Sequence, residues 1–391
     1  MNKILFISHD ASLTGATIFL LHFLRWLKSN SDIPFEIILK KGGALENDFK
    51  LLAPVTSLYG KKKTIIDSTL SLFRQHGFHI PSINFVKYVI KYKFRAKNIG
   101  LIYANTVTNR EVMEMLTYLK SPFICHVHEL EWGIQYYGIE NFNKVKYLSD
   151  RFIAVSDAVK TNLITNHGVP EELIDINYEF IPTDNLDLLD KNQCRKIVCE
   201  YLNIPSDAFI ICASGTTGWR KGPDLFIQVA YLIHKLQPDI SIYFLWVGGE
   251  KQGQRYNDLM HDIEKLRLTK YVQFLGEQKD PFRYFAACDV FLMVSREDPF
   301  PLVCLEAAAL EKPIICFDQA GGMREFVEGD AGFVVPYLDT FEMAQKAIHL
   351  LQSLELRRFL GQKAKEKVKK RHDIKVAAPK LLQFIKYTMH T

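Results

Sequence analysis

Short apolar runs alternate with segments of helical periodicity along this chain, and the alternation occurs in two blocks separated by a turn-like break near residues 181–195. Apolar runs without internal alternation are typical of strands that are buried on both faces of a parallel sheet. Parallel strands in turn need helical crossovers between them. The sequence therefore predicts an α/β protein with two Rossmann-like, doubly wound parallel-sheet domains that face each other across a cleft.

The predicted elements fall into the two blocks as follows. In the first block, strands are predicted over residues 4–7, 35–39, 101–104, 123–127 and 152–155, with a helix over 18–27. In the second block, strands are predicted over 209–213, 242–247, 272–275, 290–294 and 314–317, with helices over 225–236 and 302–310. An amphipathic helix is predicted over 374–387. The domains are accordingly placed at 1–185 and 186–373, with a C-terminal helix, 374–391, that packs back towards the first domain.

Composition excludes several classes of protein. The hydrophobic share of 48% and the charged share of 24% are those of an ordinary globular chain. The seven cysteines form no Cys-x-x-Cys pair, which argues against a zinc site or a disulfide framework and favours a reducing compartment. The N-terminal apolar run is short and soon meets His9 and Asp10, so it predicts a strand rather than a signal peptide. A cytoplasmic location is expected.

Positive charge is concentrated in residues 61–97, which carry nine Lys and Arg against a single Asp. The total charge of +5 is mild, so no nucleic-acid partner is expected. The local excess indicates an acidic partner or an anionic membrane surface. Residues 83–97 interleave aromatic and aliphatic residues with Lys and Arg, as interfacial helices do. Peripheral docking at the inner face of a membrane is one interpretation, and a solvated helix face is the other.

The segment 295–308 follows a predicted strand and opens a predicted helix. Pro301 suits the first helical position, and the helix N-terminus provides N–H groups and a positive dipole end for a phosphate. Glu306 shares a mainly apolar face with Leu302 and Leu310, where an unpartnered carboxylate is unfavourable. A ribose diol could supply that partner; a capping or salt-bridging role is the alternative.

A second candidate is the glycine-containing loop 213–222, which ends in Arg220 and Lys221 before another helix. Small residues let a backbone approach a phosphate, and the two cations could neutralise leaving-group charge. A solvated basic turn is the alternative. A third candidate is the turn at Gly15 and Ala16, between the first strand and the first helix, which either packs tightly or faces a diphosphate or acceptor.

His126 and His128 lie near the end of a predicted strand, and alternation along the strand puts them on the same side. They could form a metal pair, although no third ligand is evident. Alternatively, one could bond a sugar hydroxyl or exchange protons, or both could be structural.

Together these motifs resemble the retaining family-4 glycosyltransferases over nearly the whole chain. The resemblance rests on the order and spacing of Gly15-Ala16, His128, Val155-Ser156-Asp157, Lys221-Gly222, Val247-Gly248-Gly249, Leu275-Gly276, Cys288-Asp289-Val290-Phe291, the pair Asp298 and Glu306, and Gly321-Gly322 with Glu325.

The resemblance implies a GT-B fold and a role for each matching residue. Lys221 and Arg220 would hold the donor diphosphate, and Glu306 would hold its ribose. Asp298 would contact donor sugar hydroxyls, and His128 would lie beside the acceptor and the donor sugar. Gly15 and Ala16 would lie near the phosphates. Further substrate contacts are predicted at Gly276, Phe300, Leu302, Val303, Gly321 and Gly322.

The sequence departs from the family pattern at three places. Asp298 stands where the family usually has Glu, with Glu297 beside it. The usual Arg about five residues before the Lys is replaced by Gly215 and Thr216, so Arg220 is expected to compensate. Pro301 stands where many members have Gly; it has no N–H to give a phosphate, which leaves Leu302 and Val303 as the donors.

The implied function is transfer of a hexosyl-type sugar from a UDP- or GDP-linked donor to a hydroxyl acceptor, with retention of configuration. No cofactor and no metal are expected. The acceptor would be a glycan or a lipid-linked glycan, in the synthesis of a cell-surface polysaccharide or glycoconjugate. The departures motivate one alternative, a non-catalytic nucleotide-sugar-binding subunit. Another GT-B enzyme, an epimerase or a phosphorylase, is a second alternative.

Overall fold

A computed structural model describes residues 2–59 and 82–390. The chain divides into two compact units, one formed by Met1–Tyr178 with Ala378–Thr391 and the other by Glu179–Ala377. Each unit is built around its own parallel sheet.

The first unit contains a seven-stranded sheet in the order β3-β2-β1-β4-β5-β6-β7. Its strands are β1 (Lys3–Ser8), β2 (Phe35–Lys41), β3 (Val55–Tyr59), β4 (Ile99–Asn105), β5 (Phe123–Val127), β6 (Arg151–Ala154) and β7 (Ile174–Ile176). All neighbouring strands run parallel, and the central residues of β1, Ile4 to Ile7, are fully buried. Burial on both faces accounts for the continuous apolar runs.

The helices of the first unit connect these strands. They are α1 (Gly15–Asn30), α2 (Glu46–Leu52), α3 (Ser82–Phe94), α4 (Arg110–Leu116), α5 (Glu131–Tyr137), α6 (Ile139–Leu148) and α7 (Asp157–Thr165). Ser156 caps α7 by accepting a hydrogen bond from the N–H of Val159, so β6 ends at Ala154 rather than at residue 155.

The second unit repeats the same topology with a six-stranded sheet in the order β10-β9-β8-β11-β12-β13. Its strands are β8 (Phe209–Ser214), β9 (Ile242–Val247), β10 (Val272–Gly276), β11 (Val290–Met293), β12 (Ile314–Phe317) and β13 (Gly332–Val335). Its helices are α8 (Asp184–Asp187), α9 (Lys191–Leu202), α10 (Pro223–Leu236), α11 (Gln254–Lys265), α12 (Phe282–Ala287), α13 (Leu302–Ala309), α14 (Met323–Val327), α15 (Thr340–Gln352) and α16 (Leu354–Lys367).

The prediction of two doubly wound parallel-sheet domains is confirmed, and each predicted strand has a counterpart. Three strands were not predicted: β3, β7 and β13. All three lie at a sheet edge, where one side of the strand is unpaired and a continuous apolar run is not required. β13 also begins at Gly332, a residue that ordinarily weakens a strand signal.

The second unit begins at Glu179, ahead of the boundary that the turn-like residues indicated at 185. The reason is a backbone pairing between residues near 181 and residues near 373. The N–H of Ile181 donates to the carbonyl of His372 at 3.0 Å, and the N–H of Ile374 donates to the carbonyl of Ile181 at 3.0 Å. The last helix, α17 (Ile374–His390), begins in the second unit, and its residues from Ala378 onward belong to the first.

The loop after β8 depends on a hydrogen bond from a side chain to its first carbonyl and on a close approach of its last residue to the backbone of Val294. The indole N–H of the buried Trp246 donates to the carbonyl of Gly215 at 3.0 Å and fixes the start of the loop. Gly222, at its end, has a φ of 71°, and a Cβ there would lie 2.1 Å from the carbonyl oxygen of Val294. Only glycine satisfies both the left-handed backbone and this approach.

We expect Gly222→Ala to destabilise the protein more than Gly168→Ala does. Both glycines are left-handed, with φ values of 71° and 59°, but a Cβ at Gly168 would meet nothing within 4 Å. Gly168→Ala should therefore cost only the backbone strain of roughly 1–2 kcal/mol. Gly222→Ala should cost a further 1–3 kcal/mol or so, because the backbone of Val294 must move. Equal midpoints of thermal unfolding for the two variants would contradict this account.

Candidate active site

The strand order of the second unit reverses between β8 and β11, which are neighbours although β9 and β10 intervene in the chain. Loops that leave the carboxyl ends of two such strands diverge and leave a crevice, the usual ligand site of doubly wound sheets. Arg220 and Lys221 lie on the loop after β8, and Asp298 lies on the loop after β11. The topology thus brings the two predicted motifs together.

Asp298 is buried and is surrounded by cations and hydrogen-bond donors. The Lys221 ammonium donates to its Oδ2 at 2.5 Å, and the guanidinium of Arg220 lies 3.7 Å from its Oδ1. The hydroxyl of Ser295 donates to Oδ2 at 3.2 Å. Asp298, rather than the neighbouring Glu297, is therefore the acid at the centre of this cluster. The backbone carbonyl of Glu297 accepts a hydrogen bond from Arg220 at 2.7 Å.

This arrangement keeps Asp298 ionised. Burial alone would raise the pKa of its carboxyl, but the charges of Lys221 and Arg220 and the hydrogen bonds from Lys221 and Ser295 hold that pKa below its ordinary value. A buried carboxylate of this kind can accept hydrogen bonds from sugar hydroxyls. Lys221 has three N–H donors, so its bond to Asp298 leaves two for a phosphate.

A second ion pair, which was not predicted from the sequence, fixes the two loops. The guanidinium of Arg296 donates to both carboxylate oxygens of Asp224, at 2.9 and 2.6 Å. The same guanidinium lies 4.8 Å from the ring centre of Trp219. Trp219 precedes the predicted cations, and Arg296 precedes Asp298. The contacts of Arg296 with Asp224 and Trp219 therefore set the distance between the cations and Asp298. Adjacency to the two motifs was the signal that could have identified this ion pair.

The helix predicted to bind phosphate at its N-terminus begins at Leu302, as its predicted range has it, but Pro301 is not the first helical residue. Pro301 is the N-cap of α13, with φ −74° and ψ 119°, and Leu302 is the first helical residue. Pro301 donates no hydrogen bond, and no side chain caps the helix. The N–H groups of Leu302 and Val303 precede the first intrahelical donors, so they are suitably placed to receive an anion.

Glu306 lies on α13 and is half-buried. Among residues 2–59 and 82–390, no side chain forms an ion pair or hydrogen bond with its carboxylate. Burial raises its pKa to about 7, from an ordinary value of 4.5. Such a group is unfavourable in the free protein and gains stability from a ligand that donates hydrogen bonds to it.

The remaining predicted residues of this unit lie at or after the carboxyl ends of β10, β11 and β12, at the same edge of the sheet. A short parallel bridge joins Asp298 to Gly321, and the N–H of Gly322 donates to the carbonyl of Pro299 at 3.0 Å. Gly276 ends β10, and its carbonyl accepts from the N–H of Gly248 at 2.9 Å. The ring of Phe300 is buried and stacks on His372, so any contact of Phe300 with a substrate would come from its backbone.

The predicted residues of the first unit are connected through Asn105. The amide of Asn105 donates to the carbonyl of Ala16 at 2.9 Å, so its oxygen faces Nε2 of His128, 3.0 Å away. Nε2 of His128 must then carry the proton. Ala16 lies in the first turn of α1, next to Gly15, where a Cβ would meet nothing within 4 Å.

His126 and His128 lie on the same side of the sheet, as predicted, with ring centres 4.2 Å apart. His126 is fully buried and its Nδ1 pairs with the hydroxyl of Tyr103 at 2.5 Å. Within the described ranges, no group of three metal-ligating side chains is close enough to hold an ion. All seven cysteines are buried, free thiols.

The basic stretch 61–97 lies partly outside the described residues, which resume at 82. Helix α3 buries Val86, Ile90 and Phe94 at a spacing of four. Its opposite face exposes the aromatic side chains of Tyr88 and Tyr92 together with basic residues. In the ranges 2–59 and 82–390, no helix is long and apolar enough to cross a membrane.

Solved structures share this two-sheet fold. HepE from Anabaena, solved with UDP and glucose, superposes with a TM-score of 0.81 over 99% of this chain and 100% of its own, at 22% identity. That likeness establishes the fold.

Sequence comparison finds curated relatives. N-acetyl-α-D-glucosaminyl L-malate synthase of Bacillus anthracis is 30% identical over 200 residues, which are 51% of this chain and only half of that protein. A Campylobacter jejuni N-acetylgalactosaminyltransferase, named for a diacetylbacillosaminyl-diphospho-undecaprenol acceptor, is 24% identical over 76% of this chain and 80% of its own. Residues 199–367 match the family model for glycosyl transferases group 1. This match covers fewer than half of the 391 residues, and over it the chain is similar to the glycosyl transferases group 1 family.

Proposed function

We propose that this protein transfers a hexosyl residue from a UDP- or GDP-linked sugar to a hydroxyl acceptor. The observation that carries the proposal is the buried, ionised Asp298 beside Lys221 and Arg220 at the switch point of the second sheet. Cations beside an uncapped helix end suit a diphosphate, and the adjacent carboxylate suits sugar hydroxyls. The UDP and glucose in the Anabaena structure support this type of donor.

Each predicted residue then has a role. Lys221 and Arg220 neutralise the diphosphate, with the N–H groups of Leu302 and Val303. Glu306 accepts hydrogen bonds from the ribose hydroxyls, and Asp298 orients the donor sugar. His128 would lie beside the acceptor and the donor sugar, and Asn105 orients it by accepting its Nε2 proton. Gly15 and Ala16 would lie near the phosphates.

The transfer would proceed with retention. The bond between the anomeric carbon and the phosphate oxygen breaks, and the acceptor oxygen attacks from the same face. The acceptor proton passes to the departing phosphate, so no additional base is needed. Cations and backbone N–H groups supply the charge stabilisation that a metal would otherwise give, and neither a metal nor an organic cofactor enters the proposed reaction.

The acceptor would be a glycan, free or lipid-linked, in the synthesis of a surface polysaccharide or glycoconjugate. The Campylobacter relative, whose name specifies a diphospho-undecaprenol-linked glycan, supports the lipid-linked form. Helix α3, with Tyr and basic residues on its exposed face, is suited to contact an anionic inner membrane surface.

We expect Lys221→Ala to weaken nucleotide binding and Asp298→Asn not to weaken it. Lys221→Ala removes a phosphate contact and should weaken UDP or GDP binding and lower transfer on the order of 10²–10³-fold. Asp298→Asn frees Lys221 from its ion pair, so nucleotide binding should be equal or tighter while transfer falls. Calorimetry with UDP and GDP measures nucleotide binding. Release of nucleotide from the UDP- and GDP-linked sugars measures transfer. Lys363→Ala, on an exposed helix, is the control. Equal weakening of nucleotide binding by both variants would overturn the assignment.

We expect Glu306→Gln to stabilise the ligand-free protein at alkaline pH while it weakens nucleotide binding. The folded-state pKa of about 7 lies above the ordinary 4.5, so ionisation is less favourable in the folded chain. This penalty is absent below about pH 4.5 and grows as pH rises through 7. The thermal midpoint of Glu306→Gln should therefore exceed that of wild type at pH 8 and match it near pH 4.5. Exposed Glu264→Gln should show no such gain, and a pH-independent difference for Glu306→Gln would count against the buried charge.

We expect the double variant Lys87→Glu, Lys91→Glu to reduce sedimentation with vesicles that contain phosphatidylglycerol. Both lysines lie on the exposed face of α3, and a polybasic surface gains about 1 kcal/mol per basic residue near an anionic membrane. Binding of the wild type should also fall with added salt. Wild-type sedimentation that depends neither on anionic lipid nor on salt would show that α3 is a solvated face.

A further inference from the structure

A cavity of about 520 Å³ opens in the first unit, and none of its lining residues was predicted from the sequence. Its walls come from the carboxyl ends of β1 and β2, from the segment after β4, and from α4, α5 and α6. β1 and β4 are neighbours at the point where the strand order of this sheet reverses. The cavity therefore lies at the switch point of the first sheet and has a volume in the range of roughly 300–1,000 Å³ that small-ligand sites have.

The charges around this cavity balance. Three cations, Lys40, Lys41 and Arg110, face three carboxylates, Asp10, Glu111 and Glu114. Lys40 lies 3.5 Å from Glu111, and Arg110 pairs with Glu114 at 2.9 Å. His9 adds no charge near neutral pH, because burial lowers its pKa despite the nearby Asp10. A lining of paired donors and acceptors without excess charge suits a neutral, hydroxyl-rich ligand better than a phosphate or a uronate.

An aromatic surface adjoins the cavity through Tyr137, whose ring packs edge-on against that of Tyr136 with ring centres 5.3 Å apart. Ile134 and Tyr137 of α5 line the cavity. Trp132 and Tyr136, one turn apart, stack on each other with ring centres 5.0 Å apart and planes inclined by 14°. Trp132 is 39% exposed and Tyr136 is 70% exposed. Large aromatic side chains that remain exposed beside a polar cavity mark a contact surface.

We propose that the first unit binds a neutral glycan of at least two sugar units as the acceptor. One sugar occupies the cavity, and the next packs its C–H face on Trp132 and Tyr136. The inference rests on the proposed function, and it adds the charge and the minimum length of the acceptor. His9 follows β1 and His128 follows β5, so the cavity wall and the histidine assigned to the acceptor lie at the same edge of one parallel sheet.

The test is binding of the full chain to an array that carries neutral mono-, di- and trisaccharides with their uronate and phosphorylated counterparts. Neutral di- and trisaccharides should bind better than monosaccharides and better than the acidic members. Trp132→Ala and Tyr136→Ala should each weaken the longer ligands by roughly tenfold, equivalent to about 1.4 kcal/mol, and leave monosaccharide binding unchanged. Glu114→Ala, in the cavity, should weaken all neutral ligands. Tyr147→Ala, 86% exposed in the same unit and outside the cavity, is the matched control.

The same variants are tested for stabilisation by UDP and GDP, which should be that of wild type. Preferential binding of uronate or phosphorylated glycans would overturn the proposed neutrality. Equal affinity for mono- and disaccharides, or an effect of Tyr147→Ala as large as that of Tyr136→Ala, would overturn the aromatic subsite. If UDP or GDP still binds and supports transfer, these outcomes reject the acceptor inference alone; if neither nucleotide binds, the proposed function fails as well.

Discussion

The second unit depends on one buried carboxylate, Asp298, which stays charged because three loops converge on it. The loop after β8 supplies Lys221 and Arg220, and the loop after β11 supplies Ser295. The loop after β12 pairs with the backbone of Asp298 itself. Removing one partner from a buried ion pair leaves an uncompensated charge, so these loops are held in a single arrangement. The phosphate-binding and sugar-binding parts of the proposed site are therefore linked before any ligand arrives.

Both units place polar groups at the reversal of strand order, but with different electrostatics. In the second unit, two cations and Asp298 lie beside a helix end, and Glu306, further along that helix, has a pKa raised to about 7. These cationic and acidic groups suit a ligand that carries both phosphate and hydroxyl groups. In the first unit, two of the three cations around the cavity already pair with carboxylates. Under the proposed function, one topology would thus provide two sites, one for the charged donor and one for the neutral acceptor.

Much of the fold and of the second-unit site could be predicted from the sequence. Buried parallel strands produce continuous apolar runs, and their carboxyl ends mark ligand sites. The strands of the core, the cations after β8 and the acids after β11 were identified in this way. The edge strands β3, β7 and β13 were not, because an edge imposes no continuous apolar run. The first-unit cavity was also missed. Its residues come from six separate segments and share no motif, so only the fold brings His9, Lys41 and Asn141 together.

The sequence likewise could not decide which of the two adjacent acids, Glu297 or Asp298, faces the proposed sugar position. Neighbouring side chains point in different directions, and the sequence does not show those directions. The structure distinguishes them by their surroundings. Asp298 is buried against two cations, and the pairing of its backbone with Gly321 fixes its direction. The shorter side chain matters for the same reason: Asp has one rotatable bond fewer than Glu, so its carboxylate loses less side-chain entropy when it is fixed beside Lys221. The departure from the family's usual Glu therefore accompanies a site in which the acid is positioned by ion pairing before the donor binds.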